Sequence, residues 1–193
     1  MGNSPSFRDI LNEETIALYT ELTYLSKSKI LRIVKLLDDL DPGKLRDNLH
    51  HRFSSEQIDK ALPQIQCSPF RDSIYRVFSS KHDDHLSLED VLDLYSAFSE
   101  DTPTFVRATW SFYIFDLDGD HQISVDDLIE VIRRLSGSKL DSHLGIDTQE
   151  AEDIARMVLQ EMVFSRVGTI SYEEFIRFST RIPGVFSSFY FRI

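Results

Sequence analysis

The sequence predicts an all-α fold of four helix–loop–helix units paired into two lobes, with an extra N-terminal helix and an apolar C-terminal tail. Three observations carry this expectation. Residues 116–127 read DLDGDHQISVDD, an acidic knot. Apolar runs at helical spacing flank it, with Trp110, Phe112, Tyr113, Ile114 and Phe115 before and Leu128, Ile129, Val131, Ile132 and Leu135 after. Similar helix–loop–helix punctuation recurs along the chain at a period of roughly 40–50 residues.

The acidic knot has the spacing of an EF-hand loop. A hard divalent cation wants six or more oxygens. Loop positions one, three and five supply side-chain oxygens, here Asp116, Asp118 and Asp120. Position seven supplies a backbone carbonyl, here Gln122, and Ser124 stands at position nine, which usually acts through water. Asp127 closes the shell at position twelve. Aspartate is one methylene shorter than the usual glutamate, so a six-oxygen shell suits Mg²⁺ and weakens Ca²⁺. Position six, normally glycine, is His121, while the one loop glycine is Gly119 at position four. A left-handed histidine costs roughly 1–2 kcal/mol, so the loop should bind Mg²⁺ or Ca²⁺ modestly. Ile123 at position eight would pair with a neighbouring loop in a short β contact.

The 193 residues carry a net charge of −11, and 41% of them are hydrophobic. That balance supplies a core, argues against nucleic acid, and favours cations or a basic partner. Cys67 is the only cysteine, which excludes an internal disulfide and fits a reducing compartment. No run approaches the ~20 apolar residues of a membrane helix, and the polar start has no secretory signal. Met1-Gly2-Asn3-Ser4-Pro5-Ser6 instead fits an N-myristoylation pattern on Gly2. One acyl chain gives reversible contact with a membrane. The expected location is therefore cytoplasmic and peripheral, at the inner face of the plasma membrane.

The remaining elements follow in order. Asn12 caps a first helix with Ile16, Tyr19, Leu22 and Leu25 on one face, and Ser26 caps a second with Ile30, Ile33, Val34 and Leu37. Asp41-Pro42-Gly43 ends that helix, and residues 44–52 read as an irregular polar connection. Ser54 with Gln57 is a capping box for a short helix ending at Pro63. Pro69-Phe70 opens a helix through Phe78. Residues 79–90 align as a second loop, but Lys81 at position three repels an ion, and Ser87 with Asp90 caps the next helix. Thr102-Pro103 starts the helix into the acidic loop, with proline at the first helical position. Leu135-Ser136-Gly137 stops the helix after it. Residues 138–147 form a polar linker, and Asp147 with Glu150 opens a helix carrying Ile154, Ala155, Val158, Leu159 and Met162.

In the fourth unit Gly168-Thr169-Ile170-Ser171 matches loop positions six to nine, with Glu174 at twelve. Val163, Ser165 and Val167 then fall where ligands should stand, so Glu174 reads as the capping partner of Ser171 and no ion is expected. The domain layout is 1–100 for a lobe with two degenerate hands, 101–181 for a lobe with one competent hand, and 182–193 for an apolar extension. That extension, Val185 to Ile193, is either packed in the core or a displaceable plug in a groove open to amphipathic helices.

Three segments together resemble the calcium- and integrin-binding family, the calmyrins: residues 68–79 (SPFRDSIYRVFS), 112–120 (FYIFDLDGD) and 182–193 (IPGVFSSFYFRI). The Gly2 start and Leu22-Thr23-Tyr24-Leu25 fit too, and Asp127 at position twelve is a family trait. The resemblance implies an EF-hand fold with two degenerate N-terminal hands and a C-terminal extension. It implies a non-enzymatic adaptor or auxiliary subunit that holds a cytoplasmic amphipathic helix of a membrane protein, such as an integrin α tail or a TMC-type mechanotransduction channel. The fourth hand, usually acidic in that family, departs from it here, which points to a constitutive Mg²⁺-held binder. A second reading is a regulatory subunit of a soluble phosphatase or kinase, similar to calcineurin B. Catalysis is not expected, because no nucleophile–base pair or phosphate-binding glycine loop is present.

Overall fold

The computed structural model describes residues 10–137, 146–162 and 168–181. Their regular structure is helical apart from two short ribbons, which fits the all-α EF-hand expectation. The chain divides into two compact units. Among the described residues the first takes 10–67 and 75–102, and the second takes 68–74, 103–137, 146–162 and 168–181.

In the first unit α1 spans Glu13–Leu22 and α2 spans Lys27–Leu40. Asn12 Oδ1 accepts from the Thr15 amide at 2.7 Å, so the first helix starts where its cap predicts. Ser26 does the same for α2 through the Lys29 amide. Ile30, Ile33, Val34 and Leu37 are all buried, as their spacing requires. Leu22 is not: it is 70% exposed, and Leu25, though buried, lies past the helix end. The apolar stripe of α1 is thus shorter than the spacing suggested, since Thr23 turns the chain out of helical geometry first.

Residues 44–52 are more ordered than expected, because Gly43 at φ 88° starts a single turn, α3 (Lys44–Asp47). Strand β1 (Phe53–Ser54) leads into α4 (Ser55–Ala61), where Ser54 and Gln57 form the full capping box. Pro63 does not simply stop the chain. It sits at the first position of another turn, α5 (Pro63–Gln66), where its missing N–H costs nothing. Helix α6 covers Arg71–Phe78, β2 covers His85–Leu86, and α7 covers Leu88–Ala97 with a Ser87–Asp90 capping box. β1 and β2 pair antiparallel with Phe53 opposite Leu86, both fully buried. This ribbon joins the first two hands, and α2 packs against α1, α4 and α7 around it.

In the second unit α8 (Thr104–Phe115) is capped by Pro103, so it starts one residue later than expected. Strand β3 (Gln122–Ile123) leads into α9 (Val125–Leu135), which ends at Gly137 in a left-handed conformation, φ 69°. Helix α10 (Thr148–Met162) opens with the reciprocal Asp147–Glu150 pair, at 2.8 and 3.2 Å. Strand β4 (Ile170–Ser171) and α11 (Tyr172–Arg181) complete the unit. Ile123 lies opposite Ile170, both fully buried, so position eight of the third loop meets position eight of the fourth. Helix α11 packs on α8, and α10 on α9. Among the described residues, no helix is long and apolar enough to cross a membrane. Gly2 and the 182–193 extension lie outside the described residues.

Candidate metal centre

The third loop hangs between α8 and α9. The last turn of α8 is anchored by Phe112, which is fully buried, and this fixes Asp116 one turn on, itself only 1% exposed. Asp116 shapes the loop as well as facing it: Oδ1 accepts from the Gly119 amide at 2.9 Å and Oδ2 from the His121 amide at 3.1 Å. Asp118 accepts from the Asp120 amide at 3.2 Å, and Asp120 from the Gln122 amide at 2.8 Å. Each carboxylate is thus turned inward by a backbone N–H two to five residues on.

The result is a cluster. Asp116, Asp118 and Asp120 each present an oxygen, all within 4.8 Å of one another. Opposite ligands of Ca²⁺ lie about 4.6–5.2 Å apart and those of Mg²⁺ about 4.0–4.2 Å, twice the metal–oxygen distances. A spread of up to 4.8 Å lies within the span of a Ca²⁺ shell, whereas Mg²⁺ needs the oxygens no more than about 4.2 Å apart; an all-oxygen set suits a hard cation. Those three would supply the first half of a shell, and the ion would neutralise carboxylates that otherwise repel one another.

Gln122 and Asp127 stand differently. Gln122 belongs to β3, paired with Ser171, and its side-chain carbonyl accepts from the Thr169 hydroxyl. Asp127 is outside the three-carboxylate group. It is 5% exposed, with Oδ1 accepting from the Leu117 amide at 3.1 Å and Oδ2 from the Ser124 amide and hydroxyl at 2.9 and 2.7 Å. It caps α9 and ties the loop's second residue to its twelfth. The same serine-to-position-twelve box recurs at Ser54–Gln57, Ser87–Asp90 and Ser171–Glu174. Because uncharged Gln57 does this job too, the box is a helix device common to all four hands.

The loop needs two left-handed residues, not one. Gly119 takes φ 77° at position four and His121 φ 66° at position six. In the second loop His82 and Asp84 take the same two places at 52° and 57°. The glycine of the third loop is thus well used, and His121 takes the second left-handed place as one of the residues most tolerant of it.

The fourth loop keeps Gly168 left-handed at φ 80°, and Glu174 accepts from the Ser171 amide and hydroxyl at 3.0 and 2.8 Å, as its capping role requires. Val163, Ser165 and Val167 lie outside the described residues.

The second loop holds what sequence reading missed. Arg52, one residue ahead of β1, reaches into it. Its Nη1 donates to Ser80 Oγ at 2.9 Å and Asp90 Oδ2 at 3.0 Å. Its Nη2 donates to Ser79 Oγ at 3.1 Å, Asp83 Oδ1 at 2.7 Å and the His85 carbonyl at 2.5 Å. Lys81, expected to be the cation that spoils this loop, is exposed. No sequence rule links a lone arginine to acceptors 27–38 residues later.

Arg52 holds the Asp83 carboxyl well below the usual carboxylate range, chiefly through their hydrogen bond. A carboxylate with a lowered folded pKa adds stability that is present above its unfolded value, about 4, and lost as pH falls further. Asp83→Asn should therefore lower the urea midpoint at neutral pH. The gap to the native chain should close as pH drops below about 4. A gap that stays constant down to acid pH would show that the pair carries no charge-dependent stability.

An EF-hand domain pair model matches residues 105–180. The human protein named "Calcium and integrin-binding family member 3" is 27% identical over 198 residues, covering 100% of both chains. The mouse protein of that name is 32% identical over 133 residues, 69% of this chain and 79% of its own. The fruit fly "Calcium and integrin-binding family member 2" is 29% identical, covering 94% of this chain and 95% of its own.

Proposed function

The chain belongs to the calcium and integrin-binding family, and from that footing we propose that it is a non-enzymatic adaptor carrying one divalent ion in its third hand. The observation that carries the ion is the inward-turned trio Asp116, Asp118 and Asp120. Gln122 would add its backbone carbonyl and Asp127 the closing oxygen. The acidic loop is one methylene short at position twelve, which favours Mg²⁺ at resting ion levels over Ca²⁺ sensing.

The partner we propose is a cytoplasmic amphipathic helix of a membrane protein. The relatives' names point to integrins; the family resemblance carried together by residues 68–79, 112–120 and 182–193 extends this to TMC-type channels. A concavity of about 400 Å³ in the first unit, lined by Leu36, Leu40, Ala61, Arg32, Lys35 and Asp39, supports an apolar anchor beside charged groups. N-myristoylation at Gly2 would add reversible membrane contact and place the protein at the inner face of the plasma membrane.

The test is titration of the purified chain with an integrin α-tail peptide and a TMC-type peptide, in Mg²⁺, Ca²⁺ and EDTA. The expected result is binding of a membrane-protein peptide whose affinity differs by less than about threefold between Mg²⁺ and Ca²⁺. Binding to neither, with copurification of a soluble phosphatase or kinase subunit instead, would move the chain to the calcineurin B-like reading.

A further inference from the structure

We propose that Arg52 is the resident cation of the second hand, an internal guanidinium that occupies the ligand ring and makes the first unit indifferent to Ca²⁺ and Mg²⁺. The acceptors of Arg52 are the ligand positions of an EF loop. Ser79 is position one, Asp83 position five, the His85 carbonyl position seven and Asp90 position twelve, with Ser80 added between them. In the third loop the same positions are Asp116, Asp120, the Gln122 carbonyl and Asp127.

The second loop also has the shape of an ion-ready loop. His82 and Asp84 are left-handed where Gly119 and His121 are, although neither is glycine. Strain at both positions persists where surrounding bonds over-determine it. Here Ser79 Oγ donates to Asp83 Oδ1 at 3.0 Å and to the His85 carbonyl at 2.9 Å, closing the ring around the guanidinium.

Charge agrees. The ring offers two carboxylates, Asp83 and Asp90, where the third loop offers four. A planar fork with charge +1 matches two carboxylates and several neutral oxygens better than a divalent ion does. The side chain of Arg52 is 13% exposed and that of Asp90 6%, so little water competes for that pair, while Asp83, at 43%, closes the ring on its wetter side.

Delivery is built into the chain. Phe53 pairs with Leu86, and Ser54 with His85. Arg52 is covalently one residue ahead of that pairing, so docking of the ribbon carries the guanidinium into the ring. A tethered cation meets its site at an effective concentration that does not depend on free ion.

The test is hydrogen exchange of residues 79–90 in the full chain. In Arg52→Ala, exchange should rise about 10- to 100-fold, the loss expected for charge-assisted hydrogen bonds. Methylguanidinium chloride at about 10 mM should slow it again, by mass action on the vacated ring, where equal sodium chloride should not. Unchanged exchange in Arg52→Ala, or no difference between the two salts, would overturn the proposal. If Arg52→Ala does not fold, Arg52→Lys keeps the charge without the fork. Exchange about fivefold faster supports the proposal and unchanged exchange overturns it. A third arm uses Asp116→Ala, which removes the third-loop site. Exchange of residues 79–90 there should be the same in EDTA and in Ca²⁺, and a slowing of about fivefold by Ca²⁺ would mean the ring takes a free ion after all.

Discussion

Calorimetric titration of Asp116→Ala with Mg²⁺ and Ca²⁺ should lose the ion-binding heat seen with the native chain, a drop in affinity of at least about 100-fold. Asp116 does two jobs. It would contribute a first-position oxygen, and it holds the Gly119 and His121 amides that set the loop's two left-handed turns. Alanine removes both. Asp118→Ala is the companion, because Asp118 is exposed and holds only the Asp120 amide. It should weaken binding by a smaller factor, about 10- to 100-fold, with the loop's frame intact. One site lost in the first variant and weakened in the second fits a single third-hand ion. A second heat surviving in Asp116→Ala would place an ion in another loop.

Phe112→Ala should cost about 3–5 kcal/mol, read as a fall in the urea midpoint at unchanged slope. The ring is fully buried on α8. Tyr113, Tyr172 and Phe175 meet it edge-on, with centroids at 5.7, 5.5 and 5.6 Å. Two of those partners lie on α11, so the substitution empties the contact that joins the third hand's incoming helix to the fourth hand's outgoing one. A loss under about 1 kcal/mol would mean the neighbouring rings collapse into the space, against the usual stiffness of a packed core.

The residues show where sequence reasoning reaches. Local rules with a short reach succeeded: Asn12, Ser26, Ser54, Ser87 and Ser171 all cap where they should, because a cap is settled within four residues. The β3–β4 register followed from one apolar residue per loop, since the side chain at position eight has only one way to be buried, whereas Phe53, which faces Leu86, had no loop alignment to point to it. Errors came where a longer-range fact decides. Leu22 has helical spacing but is 70% exposed, because spacing alone does not say where the core lies. Arg52 looks like part of a polar connection until the ribbon brings it to Asp83 and Asp90. His121 looked misplaced because the loop was credited with one left-handed residue instead of two.

The ribbon between the third and fourth loops is two residues long on each side. Each backbone hydrogen bond contributes a net ~0.5–1.5 kcal/mol, so a pair of them transmits about 1–3 kcal/mol. That sets a ceiling on cross-talk through the ribbon. An ion captured by the third loop can change the fourth hand's readiness to rearrange by a factor of about 5–150 by this route, and by no more. Coupling of that size through the ribbon gives a graded response and falls short of an all-or-none transition, which needs about 5.5 kcal/mol between its two states.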